Sequence, residues 1–260
     1  MRLFLIIEET RFYHPDFIAN FLKKTKDHVV GAALVTKVSA KNNLENYLIK
    51  NWHYLKLFEM IKLFVKKNIL FLQDVICKKR TDAPFYSVRS VFDFFNIDFF
   101  EVEYNINQKK YLDKIRGEKP DVIISSNPLI FKKELLYDIP NICCINRHSA
   151  LLPSYGGVLP VFQAYRNEEQ YTGVSVHVME SKIDNGAVLT QGKVRIEDTN
   201  TLSDLYEKCF AISADLVIEA LEKVRNNDFT SCAEKKELTY FSFPTGDQWK
   251  VFRRRGGRFI

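Results

Sequence analysis

The sequence predicts an α/β protein with a mostly parallel sheet and helices on both faces of that sheet. Two observations predict this class. Short apolar runs alternate with segments of helical spacing through the first half of the chain, and these runs are apolar at nearly every position, as in strands that are buried on both faces. The chain of 260 residues is long enough to bury a full core without disulfides or a structural metal.

The elements follow in order along the chain. Strands are predicted at residues 2–7, 29–35, 99–103, 121–125 and 142–146, and helices at 15–26, 88–96 and 108–117. Pro15 stands in the first turn of its helix, where a missing N–H is tolerated, and Gly117 ends the third helix. Further on, alternating patterns predict strands at 171–180 and 187–196, and helical spacing predicts an amphipathic helix at 202–224.

Two regions stand apart from this alternation. Residues 43–79 are rich in Leu, Phe and Lys and lack Gly and Pro, which predicts a helical insertion of one or two amphipathic helices. We interpret it as packed on the sheet edge, with a dimer contact or a basic face on a membrane surface as the alternatives. The main domain is expected at 1–225, followed by a C-terminal extension at 226–260 that has an aromatic cluster and a basic end.

Composition narrows the class of protein. The formal net charge of +6 suits an anionic ligand but is too small to require nucleic acid. No apolar run approaches the ~18 residues of a membrane span, and the acidic residues that follow the first apolar run indicate a strand rather than a signal peptide. The five cysteines are scattered and no His cluster has zinc spacing, so we expect no metal site, no disulfide framework and a cytoplasmic protein.

Three polar segments are candidates for chemistry. Asn146 and His148 follow a buried strand, where ligands gather in α/β sheets, and their spacing puts both side chains on one side. The loop 151–157 combines an apolar lip with a Gly-Gly pair, and Asp184 lies between two predicted strands, where it could meet His148. An amide, an imidazole and a carboxylate at one point suit acyl transfer to an amine, because they stabilise an oxyanion and carry protons. Taken singly, the histidine could be structural and Asp-Asn-Gly a hairpin turn.

Together these segments resemble the N10-formyltetrahydrofolate-dependent formyltransferase family. The resemblance rests on Asn146, His148 and Leu151–Pro153, then Thr172–Ser175, then Asp184-Asn185-Gly186, in the family's order and spacing. It implies a Rossmann-like formyltransferase core over residues 1–225, with N10-formyltetrahydrofolate as formyl donor and no metal.

The resemblance also implies roles for individual residues. Asn146 and His148 correspond to the pair that holds the oxyanion and handles protons, and Asp184 to the carboxylate that supports His148. The implied folate contacts are Ile124, Ser125, Ser126, Asn127, Leu152, Tyr155, Gly156 and Gly157. The chain departs from the family at Ala150, where a Ser is usual, so that a loop hydrogen bond is lost or shifts to Ser149. It departs again at Gly156, where the family has an Arg, which puts an acceptor contact in doubt.

The acceptor is less defined. The family formylates glycinamide ribonucleotide, methionyl-tRNA or nucleotide-linked amino sugars. The 36 residues after Val224 are too few for the β-barrel domain of methionyl-tRNA formyltransferases, and the tail YFSFPT…RGGRF resembles sugar N-formyltransferases of surface-polysaccharide pathways. We therefore expect a dTDP- or GDP-linked amino-dideoxy sugar, used for O-antigen or lipopolysaccharide synthesis. The alternatives are the other two acceptors or a non-catalytic folate-binding relative.

Substrate contacts are predicted on two segments. Arg11, Tyr13 and His14 open the first helix, whose N-terminus favours phosphate, and Tyr240 and Phe243 belong to the aromatic tail. A solvated loop and core-filling aromatic residues are the competing interpretations, and His177 is expected to be packed or exposed. Folate and acceptor should approach His148 from opposite sides, with the folate on the 151–157 loop and the nucleotide beside the first helix and the tail. The expected partners are folate and a nucleotide-linked amino sugar, with no nucleic acid and no membrane insertion, and a homodimer is an open alternative.

Overall fold

The computed structural model describes residues 1–39, 43–77 and 84–260. Its strands are β1 (Arg2–Glu8), β2 (His28–Lys37), β3 (Phe99–Glu103), β4 (Val122–Ser126), β5 (Cys143–His148), β6 (Gly156–Gly157), β7 (Tyr171–Val178), β8 (Val188–Arg195) and β9 (Tyr240–Phe241). Its helices are α1 (His14–Lys24), α2 (Leu44–Lys50), α3 (Leu57–Cys77), α4 (Val88–Phe94), α5 (Lys109–Gly117), α6 (Pro160–Arg166), α7 (Leu202–Arg225) and α8 (Gly246–Arg254). A 3₁₀ turn lies at Trp52–Tyr54 and a π turn at Glu134–Asp138.

Seven strands form one sheet in the order β3-β2-β1-β4-β5-β7-β8. The strands from β3 to β5 pair in parallel, whereas β7 runs antiparallel to both β5 and β8. The strands of the parallel part are joined by helices, and the hairpin β7–β8 extends the sheet beyond β5. The predicted α/β class with a mostly parallel sheet is therefore confirmed.

Alternate residues of the central strands face two separate cores. Leu3, Leu5 and Ile7 of β1 pack with α1 and α7. Phe4 and Ile6 face the other side, where they pack with α5 and the π turn. Because side chains alternate along a strand, the same rule assigns a face to each polar residue at the carboxyl ends of these strands.

The insertion forms the predicted helices but does not pack on the sheet edge. The edge strand of the parallel part is β3, whereas α3 contacts α8 through Glu59 and Arg253 and the start of α4 through Asp74 and Ser87. The predicted position is therefore wrong, because a buried ion pair at Glu59 and a buried hydrogen bond at Asp74 attach this helix to α8 and to the start of α4. Residues 78 and 79 of the predicted insertion lie outside the described residues.

The C-terminal extension belongs to the core of the protein. Trp249 and Phe252 of α8 are 1% and 0% exposed and pack against Phe162 of α6. Neither α6 nor α8 was predicted from the sequence. The strand β9 pairs in parallel with β6, so the extension also contacts the glycine-rich loop. No helix among the described residues is long and apolar enough to cross a membrane.

Candidate active site

Asn146 and His148 lie inside β5. This strand ends at His148, two residues later than the sequence predicted. They share a face of the sheet with Cys144, which belongs to the core beside α5. Arg147 points to the opposite face, where its Nε donates to Ser213 Oγ at 2.8 Å. The predicted common side of Asn146 and His148 therefore follows from strand alternation.

The antiparallel strand β7 brings a second histidine to this face. His177 lies opposite Asn146 in the register, and its Nε2 is 3.3 Å from Asn146 Nδ2. Its Nδ1 lies 2.9 Å from the Val178 carbonyl, which takes the ring N–H, so Nε2 accepts from the Asn146 amide. His177 is 2% exposed, as expected of a packed residue, but the sequence reasoning missed its place beside Asn146.

Asp184 joins the two histidines. It lies in the turn between β7 and β8 with a φ of 53°, the left-handed region in which Asp is tolerated better than most residues. Its Oδ2 accepts from the Gly157 amide at 2.8 Å and lies 3.9 Å from His148 Nε2. Its Oδ1 lies 3.6 Å from His177 Nε2. Asp184 thus lies close to His148, as predicted, and its carboxylate is slightly closer to His177.

The electrostatics of this cluster favour a carboxylate beside a neutral imidazole. Burial alone would raise the pKa of Asp184, but His148 and the Gly157 amide hold that pKa well below its ordinary value. Burial lowers the pKa of His148 below its ordinary value, although Asp184 acts in the opposite direction. His148 Nε2 also lies 3.3 Å from the Tyr155 carbonyl. Since both neighbours of Nε2 are acceptors, the proton of the neutral ring sits on Nε2 and Nδ1 carries the free lone pair.

The loop after β5 is held by polar side chains of the hairpin. Ser175 Oγ donates to the Ala150 carbonyl at 2.6 Å and accepts from the Leu152 amide at 3.0 Å. Gln191 Nε2 donates to the Leu152 carbonyl at 2.6 Å. Of the two predicted outcomes at Ala150, a lost loop hydrogen bond or one shifted to Ser149, the second is not seen, because Ser149 Oγ accepts from the buried Arg147. Ser175 and Gln191, rather than Ser149, fix the loop backbone beside His148.

The tail lies directly against the two glycines of the loop. Gly157 has a φ of +89°, and a Cβ at this position would lie 2.1 Å from the Phe241 carbonyl oxygen. At Gly156 a Cβ would meet the Tyr240 ring at 3.3 Å, so Tyr240 covers the position where the family has an Arg. The ring of Tyr155 stacks on Phe241 at 5.8 Å. The tail and the 151–157 loop therefore form one wall, and the prediction that they line opposite sides of the cleft is wrong.

A groove of about 290 Å³ borders this wall. Leu152, Pro153 and Asp184 line one side, and residues of the segment 231–236 line the other. The predicted folate contacts at the end of β4 lie two strands away from β7. There Asn127 donates to the Ile6 carbonyl at 2.9 Å and accepts from the Leu129 amide at 2.8 Å, which fixes the backbone turn. Among the described residues, no group of three His, Cys, Asp or Glu side chains could hold a metal ion.

The predicted phosphate contacts beside α1 are used within the protein. His14 is buried, its Nε2 lies 3.0 Å from Ser126 Oγ, and burial and then the charge of Arg147 lower its pKa to about 3. A neutral, enclosed imidazole offers no cation to a phosphate, so the structure does not support this predicted role. Tyr13 is also occupied, because its hydroxyl lies 2.8 Å from Ser203 Oγ and its ring stacks on Phe210.

Of the remaining three predicted contacts, Arg11 and Phe243 lie away from the cluster and Tyr240 lies beside it. Arg11 Nε lies 3.9 Å from Asp74, and its guanidinium covers the Phe71 ring of α3. Phe243 stacks on Tyr47 of α2 at 4.5 Å and fills the core, which was the competing interpretation. Tyr240 is 54% exposed beside Asp184, so it is the one predicted acceptor contact that adjoins the cluster.

The fold and this cluster define a formyl transferase. The model of the formyl transferase family matches residues 75–221, more than half of the chain, and the chain belongs to that family. Among curated proteins it is similar to methionyl-tRNA formyltransferase of Thermodesulfovibrio yellowstonii, with 34% identity over 58% of this chain and 49% of the relative. It is also similar to methionyl-tRNA formyltransferase of Borrelia duttonii, with 36% identity over 51% of this chain and 43% of the relative. The chain thus spans about half the length of these relatives or less.

Solved structures share the fold at low identity. A phosphoribosylglycinamide formyltransferase from Anaplasma phagocytophilum gives a TM-score of 0.59 with 16% identity over 93% of this chain and 98% of its own. A sugar N-formyltransferase from Shewanella sp FDAARGOS_354 gives 0.59 with 18% identity over 98% and 87%. A sugar 3N-formyl transferase solved in the presence of dTDP and 5-N-formyl-THF gives 0.55 with 15% identity over 94% and 70%. These likenesses describe the fold.

Proposed function

We propose that the chain transfers a formyl group from N10-formyltetrahydrofolate to the amino group of a nucleotide-linked amino sugar. The convergence of Asn146, His148 and Asp184 beside a glycine-rich loop carries this proposal. The three side chains lie within the segment that matches the formyl transferase family. No Ser or Cys nucleophile is needed, because the amine attacks the formyl carbon directly.

Each group has a role in that reaction. As the amine nitrogen bonds to the formyl carbon, negative charge develops on the carbonyl oxygen, where the Asn146 amide is the hydrogen-bond donor and His148 Nδ1 becomes a second donor once it has taken the amine proton. The amine loses a proton, which the His148–Asp184 pair accepts. Collapse of the adduct breaks the bond from the formyl carbon to N10, and N10 receives the proton. The products are the formylated amine and tetrahydrofolate.

The choice of acceptor rests on the tail. Its sequence resembles that of sugar N-formyltransferases, and β9 brings Tyr240 next to Asp184. Two proteins of similar fold are sugar N-formyltransferases, which supports this choice, and one of those structures was solved in the presence of dTDP. Methionyl-tRNA is the second candidate, because the curated relatives at 34% and 36% identity carry that name.

One assay separates these candidates. The protein is incubated with N10-formyltetrahydrofolate and, in parallel, with dTDP- and GDP-linked amino sugars, glycinamide ribonucleotide and methionyl-tRNA. Mass spectrometry then detects the gain of one formyl group on the acceptor, and absorbance follows the release of tetrahydrofolate. We expect formylation of an amino sugar. Formylation of methionyl-tRNA alone would replace the proposed acceptor, and no product with any acceptor would refute the proposed activity.

A further inference from the structure

Helix α3 turns its polar residues towards the protein and its apolar residues towards solvent. Glu59 is fully buried and accepts from Arg253 Nη1 at 2.8 Å and from the Phe259 amide at 2.6 Å. One end of the helix is thereby fixed to the C-terminal segment. The buried Asp74 accepts from Ser87 Oγ at 2.7 Å and fixes the other end. These contacts determine which face of the helix turns outward.

The outward face is a continuous apolar surface. Ten of its side chains are at least 44% exposed: Leu57, Phe58, Ile61, Phe64, Val65, Ile69, Phe71, Leu72, Val75 and Ile76. At roughly 100° per residue these ten positions fall within an arc of roughly 160°. Asn68 is the one polar residue of α3 on that arc. An exposed apolar surface of this extent marks a place where another molecule binds.

We propose that this face of α3 is the interface of a two-fold symmetric dimer of the chain. Ten half-exposed apolar side chains present roughly the 800 Å² that each partner contributes to a stable interface. Ile61 and Leu72 lie near the centre of the arc, and the midpoint between them falls within one residue of the middle of the helix. A two-fold axis through that middle therefore sets Ile61 against Leu72 of the second copy, as an antiparallel helix pair requires.

The shape of the face also suits a second copy. A groove of about 420 Å³ between α3 and Ile260 is lined by Ile61, Val65 and Ile69, and Phe64 stands beside it with 70% of its side chain exposed. A protruding ring and a groove on one surface are self-complementary. The arc itself carries no lysine, although Lys62 and Lys66 line the groove at its border; Lys66 also lies 3.4 Å from Ser203, and Lys67 pairs with Glu45.

Light scattering after gel filtration tests this interface. The wild-type chain should elute at about twice its mass of 30.4 kDa, and Ile61→Asp or Leu72→Asp should elute as a monomer. Tyr104→Asp is the matched control, because Tyr104 is 56% exposed elsewhere and should leave the dimer intact. Circular dichroism verifies that each variant is folded. A monomeric wild type overturns the proposal, as does a dimer that survives both α3 substitutions. Binding of a monomeric wild type to anionic phospholipid vesicles would assign the face to a membrane.

A second, independent observation concerns Glu8, the last residue of β1. Ile6 pairs with Ser125, and Ser125 pairs with Asn146, across three parallel strands. Glu8 and His148 each lie two residues further along, so they share a row of the sheet and, by alternation, a face. Their Cα atoms are two strand spacings apart, about 10 Å.

The carboxyl group of Glu8 has no partner among the described residues. It accepts no hydrogen bond and forms no ion pair there, and it is partly open to solvent. Its neighbour Glu9 is different, since Glu9 accepts from the Val88 and Arg89 amides at the start of α4. Burial raises the pKa of Glu8 to about 7. An unsatisfied, perturbed carboxyl group at the carboxyl ends of the strands is typical of a ligand-binding group.

We infer that Glu8 binds the acceptor by accepting a hydrogen bond from its amino group or from the adjacent hydroxyl. This inference rests on the proposed function. Glu8 and His148 lie on the same face about 10 Å apart with the end of β4 between them, so an amine bound over that position would lie between the two side chains. The nitrogen is then held next to the group that takes its proton, which orients it for attack on the formyl carbon.

Steady-state kinetics of Glu8→Gln test this role. The KM for the amino-sugar acceptor should rise about tenfold or more, while the KM for the folate should change by less than about twofold. Glu118→Gln, at the opposite edge of the sheet, should match the wild type. An unchanged acceptor KM, or an equal rise of both KM values with the fold intact, would overturn the role of Glu8 while wild-type turnover still supports the proposed function. A wild type that formylates no acceptor refutes both.

Discussion

His177 Nε2 lies 3.6 Å from Asp184 Oδ1, and this contact links the strand β7 to the turn that follows it. The same nitrogen lies 3.3 Å from Asn146 Nδ2. His177 therefore stands between the amide and the carboxylate of the proposed site. We expect it to act as a positioning residue, because it fixes the orientation of Asn146.

Substitution His177→Phe should lower kcat by about tenfold to a hundredfold and leave the KM for folate nearly unchanged. The ring keeps its volume but no longer accepts from Asn146, so the amide is free to rotate away from the developing oxyanion. Stopped-time product assays by mass spectrometry measure the effect. His28→Gln, on the exposed start of β2, serves as the control. A kcat equal to that of the wild type would show that His177 does not position Asn146.

The sequence contains enough to predict Asn146, His148 and Asp184 but not His177. The first three fall in a spaced pattern, and the side shared by Asn146 and His148 follows from alternation along one strand. His177 reaches the site through the register of an antiparallel pair, which depends on how the loop between β5 and β7 is folded. Pairing of this kind is a tertiary property that local spacing does not define.

The acid limb of the pH–rate profile should lie below the ordinary pKa of histidine. Burial lowers the pKa of His148, and the imidazole must be neutral to accept a proton, so kcat falls as the pH drops through that lowered pKa. In Asp184→Asn the limb should move to still lower pH, because the carboxylate that raised the pKa of His148 is gone. We would measure kcat with both substrates saturating from about pH 5 to 9. Asp113→Asn, on the surface of α5, is the control; a limb that moves upward in Asp184→Asn contradicts this assignment.

Gly157→Ala should destabilise the protein by about 2 kcal/mol or more and raise both KM values. The φ of +89° disfavours a side chain, and the added Cβ would lie 2.1 Å from the Phe241 carbonyl oxygen, so β6 and β9 must separate. Thermal unfolding measures the loss. Gly117→Ala is the matched control, since a Cβ there meets nothing within 4 Å and should leave the Tm unchanged or slightly higher. Equal Tm values for the two variants would disprove the close approach.

Trp249→Ala should cost about 3–5 kcal/mol of folding stability. The indole is 1% exposed and packs against Phe162 and Phe252, and its Nε1 donates to the Tyr47 hydroxyl at 2.6 Å. Urea unfolding followed by circular dichroism measures the change. Tyr240→Ala, at the exposed end of the same segment, should lose far less stability. A Trp249→Ala variant as stable as the wild type would show that the tail is dispensable for folding.

The position of this tail illustrates where sequence reasoning stops. The aromatic residues were predicted to line an acceptor site or to fill the core, and the pattern alone left both open. In the structure Phe243 fills the core, where it stacks on Tyr47, whereas Tyr240 covers Gly156 beside the proposed site. This division depends on α2 and on the loop 151–157, both distant in sequence, and no periodicity within the tail reports on them.

The most direct test of the proposed chemistry compares His148→Ala with the wild type in formyl transfer from N10-formyltetrahydrofolate to a dTDP-linked amino sugar. His148 lies 3.9 Å from Asp184, which accepts the Gly157 amide, so removing the ring takes away both the proton acceptor and an oxyanion donor. Product formation under saturating substrates should fall by about two orders of magnitude or more, with circular dichroism unchanged. Near wild-type turnover in His148→Ala would contradict the assignment of this cluster as the active site.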